Sequence, residues 1–256
     1  MLKLNSLPDA TRRVFEILAA SPLMTGFTLV GGTALALQLG HRQSEDLDFW
    51  WPAERMNKDQ VSAILYQLRA NGLQTRFATA HDQIVNAKIN GIDLLSLAQD
   101  HVIEGVKVTF YARLDAAYLF FDAFPRCKDS NTSFQVMGTE GLFAMKSHLI
   151  HHRVRSRDLY DLRSFLSQGK SLQDILQAGL AADPSTSIEY AKSVLIGQVP
   201  LDIEDEGFAS IGVQTTLEAI HHDFRQAVDA YEQKLAEEIL RAQSLPTPSN
   251  TSPESS

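Results

Sequence analysis

The chain has 256 residues, a formal net charge of −8, 44% apolar residues and a single cysteine, Cys127. That content is ample for a buried core, and the acidic balance excludes a protein that coats nucleic acid through a basic face, though not one with a local basic patch. A lone cysteine excludes an internal disulfide framework, no apolar run reaches membrane-spanning length, and residues 1–18 lack a signal-peptide core; a cytoplasmic protein with no membrane contact is the expectation.

Residues 8–20 read as an amphipathic helix: Pro8 and Asp9 suit its start, and Val14, Ile17 and Leu18 share a face. Residues 27–30 form a short apolar, β-prone run that Gly31-Gly32-Thr33 ends, and residues 34–39 have helical composition. A glycine pair between strand and helix lets backbone approach a ligand, and the helix start offers unpaired N–H groups to an anion. After a polar turn, Glu45-Asp46-Leu47-Asp48-Phe49-Trp50 alternates, placing Asp46, Asp48 and Trp50 on one strand face and Leu47 and Phe49 on the other. Carboxylates at i and i+2 lie roughly 6.5 Å apart at the backbone. At an effective dielectric of about 20 they repel by about 2 to 3 kcal/mol. Folding has no need of such a pair, whereas a divalent cation with hard oxygen ligands explains it. Singly, the glycine pair is compatible with a plain turn and Asp-x-Asp with an exposed edge strand. In this order and at this spacing they point to one site.

Gly31-Gly32-Thr33 followed by Asp46-x-Asp48 on the next strand resembles the nucleotidyltransferases of the DNA polymerase β superfamily. The fuller stretch from Leu29 to Trp50 is similar to the AbiEii/AbiGii toxin branch, the MenT-like enzymes of bacterial toxin–antitoxin and phage-defence systems; the likeness resumes near Lys146 and fades after Leu166. The resemblance implies an α/β fold, with a nucleotidyltransferase-type mixed-sheet domain over residues 1–125 followed by a helical domain over 126–245. It implies Mg²⁺ or Mn²⁺ at Asp46 and Asp48, and an NTP whose triphosphate is cradled by Gly31, Gly32 and Thr33. It further implies transfer of a nucleoside monophosphate to a tRNA 3′ end with release of pyrophosphate, and a separately encoded antitoxin.

Asn57 caps a predicted helix through Leu68 that turns Val61, Ile64, Leu65 and Leu68 to one side. Periodicity then changes to two, and residues 73–78, 84–89, 92–95 and 106–110 read as strands. The superfamily's third metal carboxylate follows the Asp-x-Asp hairpin. The nearest position here is Thr109, Asp93 is the alternative supplier, and a two-carboxylate site is the reading adopted.

Residues 114–124 read as a helix, 134–137 as a strand, and Thr139 as the cap of a helix in which Lys146 interrupts the stripe of Leu142, Phe143, Leu149 and Ile150. A lysine there must find an anion or snorkel to the surface. In the resembling family a lysine at this point contacts the triphosphate. Ser156 reads as the cap of the next helix, which carries the family-like pattern Arg157-Asp158-x-x-Asp161-Leu162. First-turn Asp158 suits the helix dipole, while Asp161 lacks that reason and is the first candidate for orienting or deprotonating the acceptor, with Asp158 second.

Between Lys146 and Arg163 five Lys or Arg stand against two Asp. Arg153, Arg155, Arg157 and Arg163 are therefore the expected contacts to triphosphate or polynucleotide. His151 and His152 read as a solvated helix end, and no His/Cys/Asp spacing suggests zinc. Residues 172–182, 187–196 and 214–243 read as helices, the acidic run 202–206 as a solvated loop, and the Pro/Ser/Thr-rich residues 246–256 as a disordered tail. The same chemistry on a small molecule or protein is the alternative function, favoured by the acidic net charge. A catalytically silent binding partner of this fold is the third; it gives no reason to keep Gly31, Gly32, Thr33, Asp46, Asp48 and Lys146 together.

Overall fold

The computed structural model describes residues 2–127 and 131–244; the expected tail lies outside them. Helix α1 (Asp9–Ala20) follows Pro8 and buries Thr11, Val14, Phe15 and Leu18. Strand β1 (Thr28–Val30) runs directly into α2 (Gly31–Leu39), and β2 (Leu47–Trp51) returns beside it. Helix α3 (Lys58–Ala70) starts where the Asn57 side chain accepts from the N–H groups of Asp59 and Gln60, as its sequence predicts. Next come β3 (Thr75–Phe77), α4 (His81–Ile89), α5 (Leu94–Leu97), β4 (Ala98–Ile103) and β5 (Val106–Ala112). The chain continues through α6 (Ala116–Asp122), β6 (Gln135–Val136), α7 (Thr139–Leu149), α8 (Ser156–Leu166), α9 (Leu172–Ala182), α10 (Ile188–Leu195) and α11 (Leu217–Ser244). Among the described residues no helix is long and apolar enough to cross a membrane.

The six strands form one mixed sheet in the order β3-β4-β5-β2-β1-β6. β2 lies antiparallel to β1 and parallel to β5, with Asp48 opposite Val30 on one side and Thr109 on the other. The predicted alternation holds. Phe49 packs with Phe27, Phe110 and Phe134 in an aromatic core, while Trp50 on the other face packs on Tyr118 and donates its indole N–H to the Arg113 carbonyl. β6 comes from beyond position 126, so the sheet draws on both expected segments. α7 crosses to the sheet side by packing on α2, and α8 and α9 pack on α7.

Residues 84–89 are not a strand but most of α4, whose Asp82 and Lys88 sit at the ends that the helix dipole favours and which buries no residue. Residues 92–95 likewise lead into the turn of α5. The strand itself is β4, and its inward face is Gln99, His101 and Ile103. Two polar residues on the buried face hide it from any reading of apolar alternation.

Candidate active site

The turn from β1 into α2 has no room for side chains. Gly31 has φ +73°, and a Cβ there would lie 2.7 Å from Asp48 Oδ2; a Cβ on Gly32 would strike Arg42 Nη2. Thr33 is buried, its hydroxyl donating to the Asp46 carbonyl and sharing a 2.8 Å hydrogen bond with Ser44 Oγ. Its hydroxyl is thus spent on fixing the approach to β2.

Asp46 and Asp48 stand at a polar cleft of about 170 Å³ that Gly32, Lys107, Lys146, Arg153 and Arg157 also line. Burial, then the charge of Asp48, raises Asp46 to about 6. Burial also raises Asp48, against the pull of Lys107, Arg153 and Lys146. Two hard-oxygen donors kept together at this electrostatic cost fit a divalent cation.

Asp93, the alternative third carboxylate, is elsewhere: it precedes α5 and pairs with exposed Lys58 at 2.7 Å. A nearer acid is Asp100 on β4, opposite Thr109 in register and accepting from its hydroxyl at 2.7 Å. Asp48, Thr109 and Asp100 therefore form a row across three strands. Asp100 was hidden with its strand; Lys107 was not singled out in the sequence either, although it shares the Thr109 face of β5 at a period of two.

Lys146 is 4% exposed and does not snorkel. Its Nζ meets Asp158 Oδ1 at 2.5 Å and Asp161 Oδ2 at 2.7 Å. Asp158 also takes Arg153 Nε at 2.8 Å, and Asp161 takes Arg42 Nε at 2.7 Å, Arg42 Nη2 at 3.0 Å and His41 Nε2 at 2.7 Å. Burial works to raise both carboxyls, but Lys146 with Arg42 holds Asp161 well below the usual range, and Lys146 with Arg153 lowers Asp158. Asp161, 0% exposed and saturated by three partners, cannot meet an acceptor hydroxyl. The expectation for it is corrected: it is a positioning residue that anchors Lys146 and Arg42. Asp158 does reach the cleft wall, yet as the partner of two cations. Arg42, buried within the polar turn, carried no signal in the sequence.

Of the four arginines, Arg153, Arg155 and Arg157 line the cleft. Arg163 does not; it ties α8 to α11 through Asp223 at 2.5 Å. The acidic run is a loop with Glu204 and Glu206 exposed, as expected, but its carboxylates are engaged by α8 and the residues before it. Glu204 pairs with Arg155 at 3.3 Å and Glu206 with Arg157 at 2.6 Å. Asp205 accepts from the Ser156 N–H at 2.8 Å and its hydroxyl at 2.9 Å, so the α8 start is capped from a loop 49 residues away and Ser156 itself is the first helical residue. Thr139 is likewise the first residue of α7, behind Gly138.

A second cavity, about 400 Å³, shares Asp48, Lys146 and Arg153 with the cleft and is otherwise lined by groups such as Tyr111, Tyr118, Phe121 and Met145. Polar and aromatic chambers thus meet at Asp48.

The family model of the nucleotidyl transferase AbiEii toxin, type IV toxin–antitoxin system, matches residues 12–242. No curated protein matches the sequence. MenT4, a nucleotidyltransferase toxin from Mycobacterium tuberculosis H37Rv, superposes with a TM-score of 0.52 at 16% identity, covering 89% of this chain and 88% of its own. A nucleotidyltransferase candidate from H. pylori gives a TM-score of 0.49 at 17% identity over 89% of this chain and 95% of its own. With the glycine turn, the Asp46–Asp48 pair and the mixed sheet in place, the chain belongs to the AbiEii family of nucleotidyltransferase toxins.

Proposed function

We propose that this nucleotidyltransferase moves a nucleoside monophosphate from an NTP to the 3′ end of an RNA, with tRNA as the acceptor. The observation that carries the reading is the Asp46–Asp48 pair, both raised by burial and Asp46 also by the charge of Asp48, at a cleft walled by Lys107, Lys146 and Arg153. Asp46 and Asp48 would hold Mg²⁺ or Mn²⁺, which when bound neutralises phosphate charge and brings donor and acceptor together. The Gly31-Gly32 turn, where glycine alone fits against Asp48 and Arg42, brings backbone to the wall of the cleft, where the triphosphate would lie. Lys146 uses two of its three N–H donors on Asp158 and Asp161, leaving one for a phosphate oxygen. Arg153, fixed by Asp158, supplies a second cation, and the aromatic cavity beyond Asp48 has the character of a seat for a base. The acceptor oxygen attacks the α-phosphorus, the bond to the oxygen bridging the β-phosphorus breaks, and pyrophosphate leaves with that electron pair; the hydroxyl proton passes to solvent at the open mouth.

As a member of a type IV toxin–antitoxin family the protein has an antitoxin as its expected counterpart. The test is incubation with each α-labelled NTP and total tRNA, with and without chelator. Label on tRNA that disappears with chelator and in Asp48→Asn supports the proposal. Label confined to a small molecule or to protein overturns the acceptor, and no transfer under any condition overturns the whole.

A further inference from the structure

Where α7 ends against the end of α9, a second group of ligand-type side chains converges. His148, His152 and Asp183 offer one ligand atom each, all within 4.8 Å of one another. His148 is 5% exposed, and its Nδ1 is buried without a hydrogen-bond partner. Its ring lies 4.3 Å from that of His152, tilted by 58°. Asp183 spends one oxygen, Oδ1, on the N–H and hydroxyl of Ser185 at 2.9 and 2.7 Å. Among the described residues it makes no ion pair with either imidazole. Three donors thus point into one space without bonding each other, and one of them is buried unpaired.

We propose that His148, His152 and Asp183 form a second metal site, for Zn²⁺ or a similar borderline transition ion, separate from the carboxylate pair. Two imidazole nitrogens with one carboxylate oxygen suit such an ion, whereas Mg²⁺ selects oxygen ligands. Bonds of about 2.1 Å in a tetrahedral set place ligand atoms roughly 3.4 Å apart. Rotation of exposed His152 and half-buried Asp183 closes that gap while His148 stays in place. The ion would satisfy His148 Nδ1 or fix its tautomer, and would tie the end of the helix that carries Lys146 to α9. Both histidines also line the cavity that reaches Asp48, so the ion's remaining position faces the chamber beside the cleft. The histidines are four apart, but the carboxylate arrives from another helix, which is why spacing along the chain did not show a site.

The test uses the full-length, chelator-treated protein titrated with Co²⁺, followed by visible absorption. Low-coordinate cobalt with imidazole ligands absorbs strongly, and cobalt held by carboxylates and water barely does. The expected result is one absorbing Co²⁺ per chain, displaced by Zn²⁺, retained in Asp46→Asn/Asp48→Asn, and bound at least tenfold more weakly in both His152→Ala and Asp183→Asn. Circular dichroism and Tm of the metal-free variants check that these surface changes leave the fold intact. Absence of the band, its persistence in His152→Ala and Asp183→Asn, or its loss in Asp46→Asn/Asp48→Asn overturns the proposal.

Discussion

Asp48 lies under Gly31, opposite Thr109, in a place where burial disfavours its charge. Asp48→Asn removes that charge while keeping the shape. We expect transfer to be abolished and metal-free Tm to stay or rise; full activity in a chelator-sensitive assay would overturn the carboxylate site. Asp46 gives a pH test. Its folded pKa, about 6, lies above the ordinary 3.8, so the folded state holds the proton more tightly and loses relative stability as pH rises from 3.8 to about 6. Discounted for partial exposure, the loss is roughly 1 to 2 kcal/mol. Urea midpoints of the metal-free protein should show it, Asp46→Asn should remove it, and saturating Mg²⁺ should offset it. Asp158 and Asp161 act in the opposite sense: their lowered pKa values stabilise the fold above 3.8, and that stability is lost in stronger acid. Lys146→Met strips both of a partner, and we expect a loss of about 3 to 5 kcal/mol. A variant with wild-type Tm would show that Arg42 and Arg153 suffice.

At the scale of elements, α8 is started by a loop it does not contain. Asp205→Ala should cost about 1 kcal/mol, read as a fall in Tm, because the Ser156 N–H loses its acceptor. The same loop holds Arg155 and Arg157 with Glu204 and Glu206, so the arginines expected to grip a polynucleotide are already occupied by carboxylates. Glu204→Gln with Glu206→Gln removes those two charges, leaving Arg155 beside Asp202 and Arg157 on the Gly207 carbonyl and the Ser210 hydroxyl. Anisotropy measurements on labelled tRNA should then show several-fold tighter binding; unchanged affinity would mean that those arginines serve only to hold the loop.

For the molecule as a whole, a chain of net charge −8 can hold RNA only through such a local patch. Binding should weaken with salt by about 0.7 to 0.9 log units per log unit of salt for each phosphate contact. Arg155→Gln with Arg157→Gln should flatten that slope while NTP affinity, set by the floor of the cleft, stays nearly constant. Arg163→Gln should leave the slope alone and lower Tm, since that residue joins α8 to α11. A salt-independent transfer would remove the polynucleotide from the scheme and leave the nucleotidyltransferase.

The sequence by itself determined what is written within a few neighbouring residues: the strand–Gly-Gly–helix turn, the facing of Asp46 and Asp48, the Asn57 cap, and a lysine placed where an apolar stripe demands a partner. Each depends on local geometry, a period of two or 3.6 and a steric need at one backbone position. Only the tertiary structure decided what partners those groups find. Arg42 and Asp161 are 119 residues apart, Ser156 and Asp205 are 49 apart, and β4 joins the sheet through a polar inward face. Electrostatic pairing in a buried site is set by which elements pack together, and composition along the chain does not encode that distance. Asp161 shows the difference most plainly. Its odd place on the helix marked it as special, and packing made it the anchor of Lys146 and Arg42 where the pattern alone had suggested a reactive acid.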